Sequence, residues 1–404
     1  MLGGVWLVYA SFGLVSRAMA PLLGPIVADL DIGLATMGAV LGAWPMVYLV
    51  MALPAGAWLD RVGLRWGLLV GAMFIAVSGA LRAGATGALM MAAAVAVFGI
   101  GGPLVSIGAP KLISQWFGAA ERGTAMGIYT TGPSVGGVLA LTTANSVVMP
   151  AVNGNWREAL AIYALVALVA GGVWALVAWR VPPEVQSSGR SASERPDNAK
   201  PPASSKLAEI RALVATPSIR LVLALAVGAF FYNHAMANWL AEILRTGGAS
   251  PSSAGFLAAL PVGVGVVGAL IIPRRAAPAI RREVLSVVFI AAGLGAMGIV
   301  LAGPWLWPGL ILVGVARSAM VPVAMLVMMD SPMVGSDNMG TVGGLFFTAG
   351  EIGGVLGPMV VGQLAAATGG FSVPLWSLMG VGAILAATTW FSLPPSSAPS
   401  GSGE

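Results

Sequence analysis

The chain has 404 residues, of which 58% are hydrophobic and 9% charged, and its formal net charge is +5. A soluble domain carries about 25% charged residues, so this chain cannot cover its surface unless lipid covers most of it. It has no cysteine and one histidine, which excludes disulfides, thiolate metal sites, cysteine nucleophiles and histidine-based metal clusters.

Apolar runs of about 20 residues, the length a helix needs to cross the hydrocarbon core, recur along the whole chain. In order they predict twelve spans: 5–28, 34–59, 64–83, 87–112, 122–146, 157–180, 217–244, 253–273, 283–302, 305–329, 338–366 and 372–393. The first run is too long for the apolar region of a cleavable signal. Between the sixth and seventh runs lies the one long polar stretch, 181–216, with Pro182-Pro183, Ser187-Ser188-Gly189 and Pro201-Pro202. It reads as a flexible linker. The expected fold class is therefore an all-α integral membrane protein of twelve transmembrane helices. The expected layout is a six-helix bundle over 1–180, a cytoplasmic linker over 181–216, a second bundle over 217–393 and a disordered cytoplasmic tail over 394–404.

Lysine and arginine set the orientation. With a cytoplasmic N-terminus, that side holds Arg61, Arg65, Lys111, Arg122, seven basic residues from Arg180 to Arg220, and Arg274, Arg275, Arg281 and Arg282. The outer side holds Arg82, Arg157 and Arg245, and Arg17 and Arg317 fall inside spans. Both termini are expected in the cytoplasm and the chain in the plasma membrane. Because the basic residues lie in loops between spans, the net charge does not point to nucleic acid.

The two sets of spans are related. Adding 217 takes Gly123, Thr124, Gly127, Thr131, Gly136, Gly137, Val138 and Leu139 onto Gly340, Thr341, Gly344, Thr348, Gly353, Gly354, Val355 and Leu356. The same shift takes Ala18, Met19, Ala20, Leu23 and Ile26 onto Ala235, Met236, Ala237, Leu240 and Ile243. Parallel six-span repeats are a transporter design with the substrate near the midplane between halves.

The repeat directs attention to particular side chains. Arg17 lies near the middle of span one, where a cation costs about 2.5–3.5 kcal/mol even on the lenient insertion scale. Its planar fork suits carboxylates and similar oxyanions; the alternative is an ion pair, for instance with Glu351. The offset pairs Arg17 with His234, the one histidine, which can bind substrate, exchange protons or simply bond across helices. Asn238 lies one turn further on the same face, and Tyr232 and Asn233 add polar capacity. Arg317 is either a second anion contact or the partner of Glu351. Glu351 stands where the first half has Ser134, and is a second candidate for proton coupling. Trp44, Tyr129 and Phe346 are candidates for a cavity wall, although aromatics in spans are more often packing.

The loop after span two, Gly56-Ala-Trp-Leu-Asp60-Arg61-Val-Gly63-Leu-Arg65, resembles the loop signature of the major facilitator superfamily. Gly132-Pro133-Ser134-Val135-Gly136-Gly137 resembles that family's span-five motif, and Trp116-Phe117 to Glu121-Arg122-Gly123 its entry. Within the family, Ser16-Arg17-Ala-Met-Ala-Pro21-Leu-Leu-Gly24-Pro25-Ile26 is similar to the first span of the cyanate and nitroimidazole permeases. Two departures stand out. Phe98-Gly99-Ile100-Gly101-Gly102-Pro103 occupies the place of the family's span-four arginine, and the second-half loop degenerates to Gly268 through Arg274-Arg275. The resemblance implies gating roles for Asp60, Arg61, Arg65 and Arg122, with Asp60 facing the start of span eleven.

The expected function is secondary active transport of a small organic or inorganic anion, monocarboxylate-like or cyanate-like, by alternating access with proton coupling as an option. The competing reading is efflux of drugs or hydrophobic compounds by proton antiport. No catalytic cluster and no nucleotide motif is present, so neither an enzyme nor a cofactor is expected. The expected partners are the anion, protons and the bilayer, with the protein a monomer.

Overall fold

A computed structural model describes residues 1–180, 203–335 and 338–393. The remainder of the expected linker, 181–202, and the expected tail, 394–404, lie outside the described residues. Among the described residues the protein is helical, and twelve helices are long and apolar enough to cross a membrane. In chain order they are Leu2–Asp29, Leu34–Ala52, Leu64–Ala83, Ala88–Trp116, Glu121–Ala151, Trp156–Trp179, Pro217–Thr246, Pro251–Arg275, Pro278–Leu301, Gly303–Met329, Met339–Thr368 and Ser372–Ser392. Helices satisfy their own backbone groups, which is what permits a chain to sit in lipid at all. Their outward faces carry large exposed apolar side chains such as Leu165, Leu176, Val287 and Ile384. Part of the expected linker is itself helical, over Ala203–Ala215.

The chain divides into two compact units. Unit 1 comprises Met1–Ile32, Ala43–Lys206 and Ser250–Gly255; unit 2 comprises Gly33–Gly42, Leu207–Ala249 and Phe256–Glu404. The boundaries thus depart from a simple cut in the linker, and the packing explains why. In unit 2 a Cβ on Gly38 would lie 2.6 Å from the Pro358 carbonyl oxygen, too close for any side chain. In unit 1 a Cβ on Gly255 would overlap the Leu141 carbonyl oxygen. Each short segment therefore packs backbone to backbone inside its unit, and the two contacts are related by the 217-residue offset.

Unit 1 is built around span one. Span one is broken: a helix over Leu2–Arg17 gives way to a 3-10 turn over Ala20–Leu22 and a second helix over Leu23–Asp29. Pro21 has no N–H, so it cannot bond the carbonyl four residues earlier, that of Arg17. Span five is also interrupted, with helices over Ala119–Thr130 and Gly132–Thr143 and a π-turn over Ala144–Val148. Asn145 in that π-turn donates from Nδ2 to the Pro21 carbonyl at 2.8 Å, bracing the break.

Unit 2 repeats the arrangement without the breaks. Span seven is one helix over Pro217–Thr246, and span eleven one helix over Met339–Thr368. Where the offset would put a second Pro21 stands Asn238, which keeps its N–H and leaves the helix intact.

Candidate functional site

Each unit seats a basic side chain on a glycine. In unit 1, a Cβ on Gly136 would overlap the Ala10 carbonyl oxygen, so spans one and five meet backbone to backbone. That close approach brings the half-buried Arg17 over the next glycine: its Cγ lies 3.2 Å from where a Gly137 Cβ would stand. In unit 2 the same geometry returns at the 217-residue offset. Gly353 meets the Val227 carbonyl and the Phe231 nitrogen, just as Gly136 meets those of Ala10 and Leu14. Gly354 then lies under His234: a Cβ there would stand 3.3 Å from the imidazole Cε1 and 3.4 Å from Nδ1, and 2.5 Å from Glu351 Oε2.

Unit 2 adds an acid. Glu351, 6% exposed, lies one turn before the glycine pair in span eleven. Its Oε2 is 3.8 Å from His234 Nε2 and has no hydrogen-bond partner. Phe230 stacks on the imidazole, with ring centres 6.1 Å apart and planes 16° from parallel.

Beside the pair runs a second polar line. Arg317 of span ten donates from Nε to Asn233 Oδ1 at 3.2 Å. Asn233 donates in turn from Nδ2 to the Ala229 carbonyl at 3.1 Å. Asn238 donates from Nδ2 to the His234 carbonyl at 2.8 Å, one turn back. Glu351 thus lies against His234, and Arg317 is held by Asn233 rather than by Glu351.

Three aromatic candidates, Tyr232, Tyr129 and Phe346, are buried. Tyr232 is fully buried and donates its hydroxyl to the Ala292 carbonyl of span nine at 2.6 Å. Successive helical residues point about 100° apart, so its neighbours Asn233 and His234 leave it facing the bundle core. Tyr129 is likewise buried, stacked on Tyr9 with ring centres 5.5 Å apart. Phe346 is buried against Phe230 and Phe347.

The loop residues sit at the surface of unit 1. Asp60 pairs with Lys111 of span four, a partner the loop signature does not name. Arg122 donates to the Ser114 carbonyl at 2.9 Å, and Arg61 is exposed. Arg65 is half-buried, and its carbonyl accepts from the Trp174 indole at 3.0 Å. Asp330 pairs with Arg281. Arg82, which charge counting puts in an outer loop, is instead interior to unit 1 at 2% exposure. Among the described residues no group of three or more His, Cys, Asp or Glu could hold a metal ion.

Residues 5–358 match the family model described as the Major Facilitator Superfamily. A stretch of 150 residues is 29% identical to the D-galactonate transporter of Escherichia coli O6:H1, covering 36% of this chain and 33% of that protein. The match thus spans about a third of the relative's length. Two structures of a bacterial homologue of the human lysosomal transporter Spinster share the fold at 18% identity. Both alignments cover 96% of this chain and 93% of the other. The inward-facing occupied form gives a TM-score of 0.64 and the inward-facing unoccupied form 0.66. The chain belongs to the Major Facilitator Superfamily, a family of multi-pass transporters rather than enzymes.

Proposed function

We propose that the protein is a proton-coupled secondary transporter of a small anion, working by alternating access. One observation carries this reading: the helix pair that seats Arg17 on Gly137 recurs at the 217-residue offset, seating His234 on Gly354 with Glu351 beside it. Arg17 is the charge-recognition group, its guanidinium presenting a planar fork to an oxyanion. The His234–Glu351 pair is the coupling group, with Asn233, Asn238 and Arg317 as its polar surroundings.

The sign of the coupling follows from charge. With Glu351 ionised and His234 neutral, the pair carries one negative charge, which opposes an incoming anion. One proton taken up by the pair cancels that charge, so proton and anion favour each other's binding. This is the arrangement of a symporter. A carboxylate such as a sugar acid fits the chemistry, in keeping with the name of the D-galactonate relative, and so do the cyanate-like anions that the span-one sequence resembles. Asp60, Arg61, Arg65 and Arg122 are proposed to gate the cytoplasmic side of a monomer in the plasma membrane, both of whose termini are cytoplasmic.

The test is a thermal-shift screen of the purified protein with small anions, repeated on Arg17→Ala. Anions should stabilise the parent and not the variant; equal stabilisation of both would remove Arg17 from recognition. Uptake by His234→Gln should lose its pH dependence. Glu351→Gln should lose uphill accumulation and keep counterflow exchange.

A second reading, drug or hydrophobic-cation efflux by proton antiport, is favoured by the burial of Glu351, whose Oε2 has no hydrogen-bond partner. Uptake and efflux assays with anions against cationic dyes separate the two.

A further inference from the structure

We infer that Arg82 is a positioning residue for Arg17: it holds the broken end of the helix that carries it. The inference rests on the reading of Arg17 as the anion-recognition group.

Arg82 sits in the last turn of span three, 2% exposed. A guanidinium so placed is expensive and needs a reason. It forms no ion pair among the described residues. The described carboxylates of unit 1, Asp29, Asp31, Asp60, Glu121 and Glu158, are all exposed. What Arg82 has is the end of a helix. Its Nη1 donates to the Val15 carbonyl at 3.0 Å, and its guanidinium carbon lies 5.5 Å over the Phe98 ring.

The Val15 carbonyl is open because span one breaks there. The helix stops at Arg17, so the carbonyls of its last turn have no donor further along. A cation at a helix C-terminus also meets the negative end of the macrodipole. Arg82 therefore fixes the near side of the break, while Asn145 fixes the far side at Pro21. Arg17 is the last helical residue between these two anchors. Its stem direction depends on where the break is held, and the seat on Gly137 admits that stem closely.

Unit 2 supplies the comparison. Span seven has no break. The position equivalent to Arg82 is Ile299, which is buried, and the position equivalent to Asn145 is Gly362. The break and its two polar anchors thus occur together in unit 1, and all three are missing from the repeat. An interior arginine that served only packing would have no cause to follow the break.

Because the chain has no cysteine, Arg17→Cys carries a single thiol whose rate of modification by a small charged methanethiosulfonate reports its position. Arg82→Met should change that rate about fivefold or more, while the rate at His234→Cys in unit 2 stays within about twofold. With Arg17 present, Arg82→Met should raise the KM for the transported anion about tenfold with a smaller change in maximal rate, the loss expected of one hydrogen bond from a charged group. Arg82→Lys keeps a donor for the Val15 carbonyl and should restore most of the KM. Where Arg82→Met does not fold, Arg82→Gln and Arg82→Lys carry the same comparison. An unchanged thiol rate at position 17, or equal changes at 17 and 234, overturns the inference. If Arg17→Ala itself keeps anion stabilisation, the reading of Arg17 fails, and the thiol rates still decide whether Arg82 sets its position.

Discussion

Spans one and seven occupy equivalent places in the repeat, yet they solve the burial of a basic residue in different ways. Span one is interrupted directly after Arg17, and its exposed backbone groups are taken up by Arg82 and Asn145. Span seven runs unbroken through His234, and the basic residue is met by an acid from span eleven, Glu351. The first unit retains positive charge, with its described carboxylates at the surface. The second has a buried acid, Glu351, beside its histidine. On the proposed reading, the unit that carries Arg17 recognises the anion and the unit that carries the acid–base pair takes the proton.

The shared part of the comparison is the backbone contact at Gly136 and Gly353, and breaking it should have the largest effect. Gly136→Ala and Gly353→Ala each drive a methyl into a carbonyl that cannot move aside. Each should cost about 3 kcal/mol, the upper end of the overpacking range, seen as a lower melting temperature in detergent. Gly137→Ala meets only the flexible Arg17 stem and should cost about 1 kcal/mol. Equal losses at positions 136 and 137 would mean that the helices are not in backbone contact.

The divergent part comes next. Arg17→Ala should weaken anion binding by at least about tenfold at every pH, the scale of a lost charged hydrogen bond. Glu351→Gln should instead leave affinity nearly independent of pH, since the pair can no longer alternate between one negative charge and none. Isothermal titration across a pH series checks both, and a pH-dependent Glu351→Gln would move the coupling elsewhere. Tyr232→Phe removes a donor from packing alone; it should cost about 1 kcal/mol of stability and leave KM unchanged. The smallest effect on stability is expected for Asp60→Asn, whose exposed pair with Lys111 is worth less than about 1 kcal/mol and fades in salt. If Asp60 gates, the transport rate will nevertheless change. A rate equal to the parent's would make it an ordinary surface ion pair.

Much of this was legible in the sequence because it depends on periodicity. Hydropathy marks the spans, and a fixed offset marks the repeat, so the match of Arg17 with His234 needs no coordinates. Which partner a buried charge takes depends on helix rotation, which composition does not encode. Glu351 could be matched on paper with Arg17 or Arg317; only the packing of spans seven and eleven puts it against His234. Tyr232 illustrates the same point within one helix, since adjacency in sequence puts it on a different face from His234. Arg82 looked like an outer-loop charge because span ends are blurred by several residues. The visible hint was Pro21, which marks a break in span one and so an end of helix whose last carbonyls need donors from elsewhere.

The glycine contacts have a mechanical consequence. Where two helices touch through their backbones, no side chain lies between them to change rotamer, so the joint has no soft degree of freedom. At those contacts spans one and five are joined stiffly, and so are spans seven and eleven. A covalent tie across either pair should leave transport running, because the motion that exposes the substrate must be taken up at other joints.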